Sequence, residues 1–534
     1  MGRADRQADL LDDVTRFCGD TLPETSIYAV LHRERDRLFP DEMFADLFLS
    51  TGRNSVPPSV VATVMVLQRL FGLSDREAVE RYTYDSRWRY AAAVGGYDGT
   101  GWNQFAHTVL VDMRARLARS DDPRRIFNVI LQVASAAGMV GRKRVLDSTP
   151  IYDAVATMDT ITLIRSAIRG LLRVADPECE VALRAVLTSG DDYADNAKPA
   201  IAWDDEQARI ELIDSRARDG YACLTVLDGQ TLGDDVRQAG QLLATVLGQD
   251  LQTGEDGVFR IARRVAKDRV ISTVDPQTRH GHKTSARGFD GFKGHVAVDP
   301  DSEIITNTVV TAGNAGDASV AADLIDDLTR PTTNDEADPA DAADTAVAQK
   351  PTVYGDSSYG TGEFHQHLEE HDIDDRCKTQ QPVGRDGMFA KDAFSIDLEQ
   401  DTVTCPNGVT VTVRRNSNGD GTAYFADACT DCPLRAQCTK AADGRTIKVG
   451  RHEKHLAKAR QRQKSSQWTN DYRATRPKVE RKLAHLTRRG RRARRRGTTK
   501  IDFDFNLQAA AENLARLGRL GLRYLRGSWA VNMA

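Results

Sequence analysis

The chain has 534 residues, 40% of them hydrophobic and 28% charged, enough for two to four domains with packed cores. The formal net charge of −4 hides an asymmetry: residues 451–500 hold 19 Lys or Arg against three acids, whereas residues 331–350 hold five acids and one Lys. Residues 60–73, the most apolar stretch, contain Gln68 and Arg69 and are too short to span a bilayer. No charged-then-apolar signal segment opens the chain, so no membrane role and a cytoplasmic location are expected.

Residues 1–141 read as an all-α domain. Val60, Val64, Leu67 and Phe71 fall at helical spacing, Gly72 interrupts, and Ser74 with Glu77 has the form of a capping box that starts the next helix. Such short helices permit a helix-turn-helix-like DNA-binding unit. Residues 142–385 read as α/β. A short strand, 144–146, ends at Asp147, and a mostly helical, acidic insert follows over about 154–265. The segment GFKGHVAVDPDSEIITNTVV predicts a hairpin turning at Asp299-Pro300-Asp301. A helix is expected over about 316–328, an acidic linker over 331–350, a strand over 352–354 that stops before Asp356, and a helix over about 362–371. Residues 386–450 are turn-rich with β-like runs. Residues 451–534 predict a basic helix, a loop GTTKIDFDF, and a last helix LQAAAENLARLGRL. The skeleton is a mixed sheet flanked by helices and interrupted by insertions.

Asp147 and Asp356 share a context. Each follows a short apolar strand and precedes small hydroxyl residues, in LDSTP and YGDSS. Ligands gather at the carboxyl ends of strands in open α/β sheets. Two carboxylates brought together there need a cation between them, and hard oxygen ligands favour Mg²⁺ or Mn²⁺. The best third acid is Glu480 in YRATRPKVERKLAHLTRRG, where Pro477 suits a first helical turn and Gly490 a stop. Val479, Leu483 and Leu486 would form its buried stripe. Ser357 and Ser358 read as helix caps, His280 and His282 as solvated, and His295 as structural. No Walker-type lysine loop appears, so no nucleotide cofactor is expected.

Cys405 precedes Cys429-x2-Cys432-x5-Cys438. One Cys-x2-Cys arm plus two further thiols fits a four-thiolate structural zinc site, with disulfides or inert thiols as the rivals.

Asp147, Asp356 and Glu480, in that order and context, resemble the acid triad of DDE-type bacterial and archaeal insertion-sequence transposases. The stretch FADLFLSTGRNSVPPSVVATVMVLQRLFGLSDREAVERYTYDSRWRYA resembles the helical domain that precedes the core in one large subgroup. STVDPQTRHGHKTSARGFDGFKGHVAVD and TAGNAGDAS resemble the approach to the second acid, and RPKVERKLAHL the glutamate segment. The resemblance implies a ribonuclease H-like catalytic sheet, two Mg²⁺ or Mn²⁺ ions on the triad, and metal-dependent DNA cleavage and strand transfer. It also implies double-stranded DNA partners, the terminal inverted repeats and a target, and a homodimer on that DNA near the nucleoid. A cysteine-rich insert between the second Asp and the Glu, here residues 386–450, also fits the resemblance. The family often shows Tyr, two residues, Arg, three residues, Glu, six residues, Lys. Here Arg476 and Glu480 keep their spacing, Tyr472 lies one residue further from Arg476, and Thr487, with Arg488 beside it, stands at the Lys position. Arg476, Lys482, Arg488 and Arg489 are the expected DNA contacts within a basic stretch reaching Arg496. The rival from another class is a zinc-containing DNA-binding regulator, derived from a transposase and without chemistry.

Overall fold

Alternation of side chains decides the main sheet. In β1 (Lys143–Tyr152), Val145 and Ile151 enter one core, while Leu146 enters another on the opposite face. The sheet is completed by β2 (Arg279–Thr284), β3 (Arg287–Val298), β4 (Ile305–Ala312), β5 (Thr352–Gly355) and β6 (Asp374–Cys377). β3 runs antiparallel to β1 on one side and to β2 and β4 on the other. Beyond β1, β5 and β6 extend the sheet in parallel. The computed structural model describes residues 13–49, 51, 55–94, 104–195, 199, 201–284, 287–330 and 350–532. All of the expected acidic linker but Lys350 lies outside them.

The strand expected over 144–146 is longer, so Asp147 lies inside it rather than at its end. The cause is β3, whose pairing with β1 continues to Tyr152–Gly291, whereas the pairing of β1 with β5 stops at Val145–Tyr354. Asp147 is therefore past the end of β5 only. Continuing that parallel register by two residues sets it level with Asp356. The β3–β4 hairpin forms as expected, and Asp299 Oδ1 closes its turn by accepting the amides of Asp301 at 2.9 Å and Ser302 at 3.0 Å.

Before β1 the described residues form α1 (Asp13–Thr21), α2 (Ile27–Leu38), α3 (Pro58–Phe71), α4 (Asp75–Tyr84), α5 (Ser86–Ala92), α6 (Thr108–Arg119) and α7 (Arg125–Ala136). Proline suits the first turn of α3, and Gly72, left-handed at φ 69°, ends it. Ser74 and Glu77 make the capping box of α4. Helices α2 to α7 bury side chains in the same core as the first face of the sheet. The insert, α8 (Thr160–Val174), α9 (Pro177–Ala185), α10 (Glu206–Leu227) and α11 (Asp234–Asp250), has a core of its own.

On the second face lie α12 (Gly362–Glu370) and three short turns between Asp317 and Thr329. One helix was expected over 316–328; the backbone breaks instead at Ile325, with φ −114° and ψ 14°. Thr361 caps α12, so neither Ser357 nor Ser358 has the capping role expected of it.

Residues 395–449 make a separate antiparallel meander of β7 (Ser395–Asp397), β8 (Thr402–Thr404), β9 (Thr410–Arg415), β10 (Gly421–Tyr424) and β11 (Thr446–Val449). Then come α13 (Glu453–Arg462), α14 (Ser466–Thr487) and α15 (Thr498–Arg519). The expected loop GTTKIDFDF is the opening of α15 from Thr498 onward, because Ile501 and Phe505, one turn apart, both bury against the sheet. Gly294 on β3 permits this approach: a Cβ there would meet the Phe505 ring at 2.8 Å. Among the described residues no helix is long and apolar enough to cross a membrane.

Buried Asn513 on α15 pins the β3–β4 hairpin, accepting the Ile305 amide at 2.8 Å and donating to its carbonyl at 2.7 Å. Asn513→Ala removes both bonds to the Ile305 backbone and should lower the unfolding free energy by about 2–4 kcal/mol, measured by urea denaturation.

Candidate functional site

Helix α14 is fixed by apolar packing before any chemistry enters. Val479, Leu483 and Leu486 bury against the sheet core as expected. Further back, Trp468 stacks on Tyr472 with ring centroids 5.0 Å apart, and Tyr354 of β5 donates to Asp471 Oδ2 at 3.0 Å. These anchors explain a departure from expectation: Pro477 lies in the middle of the helix, not in its first turn. The carbonyl it deprives of a donor is that of Arg473, which is exposed, so water can serve it.

Docked this way, α14 brings the three expected acids together around one guanidinium. Arg476 Nη2 lies 2.8 Å from Asp147 Oδ1 and 3.7 Å from Asp356 Oδ2, and its Nε lies 3.9 Å from Glu480 Oε1. Its Nη1 donates to the carbonyl of Leu146. Side-chain exposure rises from 14% at Asp147 through 38% at Asp356 to 63% at Glu480, so the acids run from floor to rim of a cleft. The cleft holds about 680 Å³ and is walled also by Ser148, Lys293, Asp317 and Arg491. Burial pushes the Asp147 carboxyl up, and Arg476 partly offsets it. Burial opposes the Arg476 charge, yet the Asp147 and Asp356 carboxylates and the Tyr472 phenol outweigh it and raise the guanidinium's pKa. Asp356 keeps a turn role as well: its Oδ1 accepts the Ser358 amide at 2.9 Å while Oδ2 faces Arg476.

Two family models match the chain, one described as Transposase DDE domain over residues 404–518 and one as Transposase domain (DUF772) over residues 16–116. Both matches support reading the chain as a DDE-type insertion-sequence transposase. The first match covers Arg476, Glu480 and the four clustered cysteines, and stops short of Asp147 and Asp356. No curated protein and no solved structure matches the chain.

The structure departs from expectation at two of the four basic positions. Lys482 is fully buried between α14 and α15, its Nζ without a hydrogen-bond partner, and burial takes its pKa down to about 8. An ammonium with no exposed surface is not placed to touch a phosphate. Arg476 is likewise turned inward, engaged by the acids. Arg488 is half-exposed and pairs with Glu512 at 3.2 Å, and Arg489 is exposed. The segment after α14 is held by β1, through a bond from the Tyr152 amide to the Arg491 carbonyl at 2.8 Å and from the Ala493 amide to the Tyr152 carbonyl at 2.7 Å. It walls a second cleft of about 340 Å³ with Arg489, Arg491, Arg492 and Arg494. Arg491, Thr149 and Pro150 line both clefts.

The sequence reading missed a chain of polar groups beside the triad. Ser148 donates to Asp317 Oδ2 at 2.7 Å, and Lys293 donates to Asp317 Oδ1 at 2.8 Å. Asp317 belongs to TAGNAGDAS, so the signal was present without a role attached. Tyr472 also lines the centre despite its altered spacing: its hydroxyl lies 3.4 Å from the Gly355 carbonyl, and burial pushes its pKa up to about 12.

The donor chemistry of the triad suits a hard divalent cation, and a guanidinium now stands among the three acids. Among the described residues no group of three or more Asp, Glu, His or Cys is disposed to hold a metal ion. The same applies to the cysteines. All four are free thiols; Cys429 and Cys438 are buried, and Cys405 packs against the same core. The Cys438 thiol is pushed up by burial and by the neighbouring Cys429, Cys405 and Cys432, which puts the four within electrostatic reach of one another. Gly408, at φ 81°, donates to the Cys405 carbonyl at 2.8 Å in a tight turn.

His295 is fully buried, between the Tyr359 hydroxyl at 3.0 Å and Thr311 Oγ1 at 2.9 Å. Burial lowers its pKa from 6.5 to about 4, with Asp317 opposing and Lys293 adding to the effect. The unfolded chain then binds a proton that the folded chain refuses, so stability is lost as pH falls from 6.5 toward 4. His295→Gln should flatten the fall of the thermal midpoint across that window, removing up to about 3 kcal/mol of pH-dependent stability.

Proposed function

We propose that this transposase cuts DNA at the ends of an insertion sequence and joins them to a target, with Asp147, Asp356 and Glu480 as its reaction centre. One observation carries the reading: three acids, 209 and then 124 residues apart in the chain, converge on a single guanidinium beside the sheet. A DNA-binding regulator has no need of that convergence. The path β4-β3-β1-β5-β6, antiparallel and then parallel, with β2 also paired to β3, supports reading the sheet as ribonuclease H-like.

Divalent-metal use is implied in general by the DDE domain. Mg²⁺ or Mn²⁺, two ions held by the triad, would supply charge neutralisation and an activated water. The residues' own part is to gather negative charge at one point and to bring phosphates to it. Strand cleavage leaves a 3′ hydroxyl, which attacks target DNA in line, with no bond to the protein. The arginines from 488 to 496 serve as the phosphate track. Arg488 and Arg495 have carboxylate partners, Glu512 and Asp75, but Arg489, Arg491 and Arg492 have no ion-pair partner among the described residues. Clustered unpaired cations repel one another until a polyanion neutralises them. A homodimer holding two element ends, DNA reading by the helices before β1, and a structural zinc on Cys405, Cys429, Cys432 and Cys438 complete the proposal.

Purified protein, Mg²⁺ and duplexes carrying the element ends should give strand-transfer products. Asp356→Asn should cut their yield at least about a hundredfold; equal yields from both proteins would remove Asp356 from the centre. Replacing Arg489, Arg491 and Arg492 together by Ala should reduce the slope of log affinity against log salt by up to about 2.7, at about 0.9 per phosphate contact. An unchanged slope would place the track elsewhere. One zinc per chain, lost on Cys432→Ser, is the expected metal analysis.

A further inference from the structure

We propose that Arg476 is a displaceable internal counter-ion, one that closes the acid centre until a divalent cation takes the carboxylates and a DNA phosphate takes the guanidinium. The inference rests on the reading of the three acids as metal ligands, and it begins from the mismatch between their chemistry and their placement.

The three carboxylates carry three negative charges and the guanidinium cancels one of them. Arg476 places its charge on the groups a metal would need. Asp147 Oδ1 accepts the Ser148 amide and is ion-paired with Arg476 Nη2, each at 2.8 Å. Asp356 Oδ2 faces the same Nη2 at 3.7 Å, and Glu480 Oε1 faces Nε at 3.9 Å. The side chain is only 11% exposed, so solvent screens little of its charge. A divalent ion and a guanidinium within contact of one carboxylate oxygen repel each other, so a metal taking Asp147 Oδ1 weakens the hold on Arg476.

Arg476 has somewhere to go. It lines the 680 Å³ cleft whose rim carries Glu480 and whose wall continues through Arg491 into the arginine track. A phosphate laid along that track offers the planar, two-point partner that a guanidinium exchanges most readily for a carboxylate. Metal entry and DNA entry are then coupled, and the coupling is reciprocal: each tightens the other. Without DNA the guanidinium stays on the carboxylates and cancels part of their charge. This also unites the inward-facing Arg476 seen here with the phosphate contact expected from sequence, as two positions of one side chain.

The test is Mn²⁺ binding to the DNA-free, full-length chain, followed by electron paramagnetic resonance. Arg476→Gln, verified as folded by circular dichroism, should bind Mn²⁺ at least about tenfold more tightly than wild type, with Arg476→Lys in between. A residue with a merely structural role would lower thermal stability on substitution and leave Mn²⁺ affinity unchanged or weaker, and that result overturns the proposal. Phenylglyoxal labelling of the wild type, read by peptide mass spectrometry, gives a second measurement that needs no variant. Arg476 should be protected without Mn²⁺ and labelled with it; continued protection at saturating Mn²⁺ also overturns the proposal. If neither wild type nor Arg476→Gln binds Mn²⁺ at all, the triad reading itself falls.

Discussion

Three carboxylates and one guanidinium set the terms for the rest of the molecule. Two like charges about 4 Å apart repel by roughly 4 kcal/mol at the effective dielectric of a partly buried site. Asp147, Asp356 and Glu480 can therefore be gathered only if something positive stands among them. Arg476 does so from the same helix that carries Glu480, so one docking event delivers both the third acid and the charge that makes it tolerable. Apolar packing drives that docking: Val479, Leu483 and Leu486 give α14 its seat, each worth roughly 1.5–3 kcal/mol when fully buried.

The sheet supplies the other two acids by simple periodicity. Along β1, Val145, Asp147 and Ile151 share a face, and that face meets α14. Along β5, Tyr354 shares the same core, and Asp356, two residues on, points the same way past the strand end. The second core, with Leu146, Val353 and Phe364, holds the back of the sheet and takes no part in the cleft. The helices before β1 and the last helix then close the front around α3, which leaves the arginine segment after α14 at the edge of β1, beside the acids.

Much of this was legible in the sequence because it depends on local signals. The capping box at Ser74, the Asp299 turn, the stripe on α14 and the two matched acid contexts are all short-range patterns. What was not legible depends on neighbours distant in the chain. β1 runs on to Tyr152 because β3 pairs with it there. Pro477 sits inside a helix because Trp468, Tyr472 and Asp471 anchor the turns before it. GTTKIDFDF is helical because a glycine on another strand, Gly294, leaves room for Phe505. Lys482 reads as a surface cation, yet the packing of α15 against α14 buries it. Asp356 shows both kinds of contact at once: its Oδ1 closes a local turn on the Ser358 amide, and its Oδ2 faces Arg476 from the distant helix α14.

The central claim is that the three acids form one reaction centre once the guanidinium yields. Anomalous diffraction from crystals of the protein with DNA ends and Mn²⁺ tests it most directly. Manganese density between Asp147 and Asp356, within ligand distance of Glu480 and with Arg476 turned onto a phosphate, is the predicted result. Manganese bound elsewhere, with Arg476 still paired to Asp147 in the DNA complex, would contradict it.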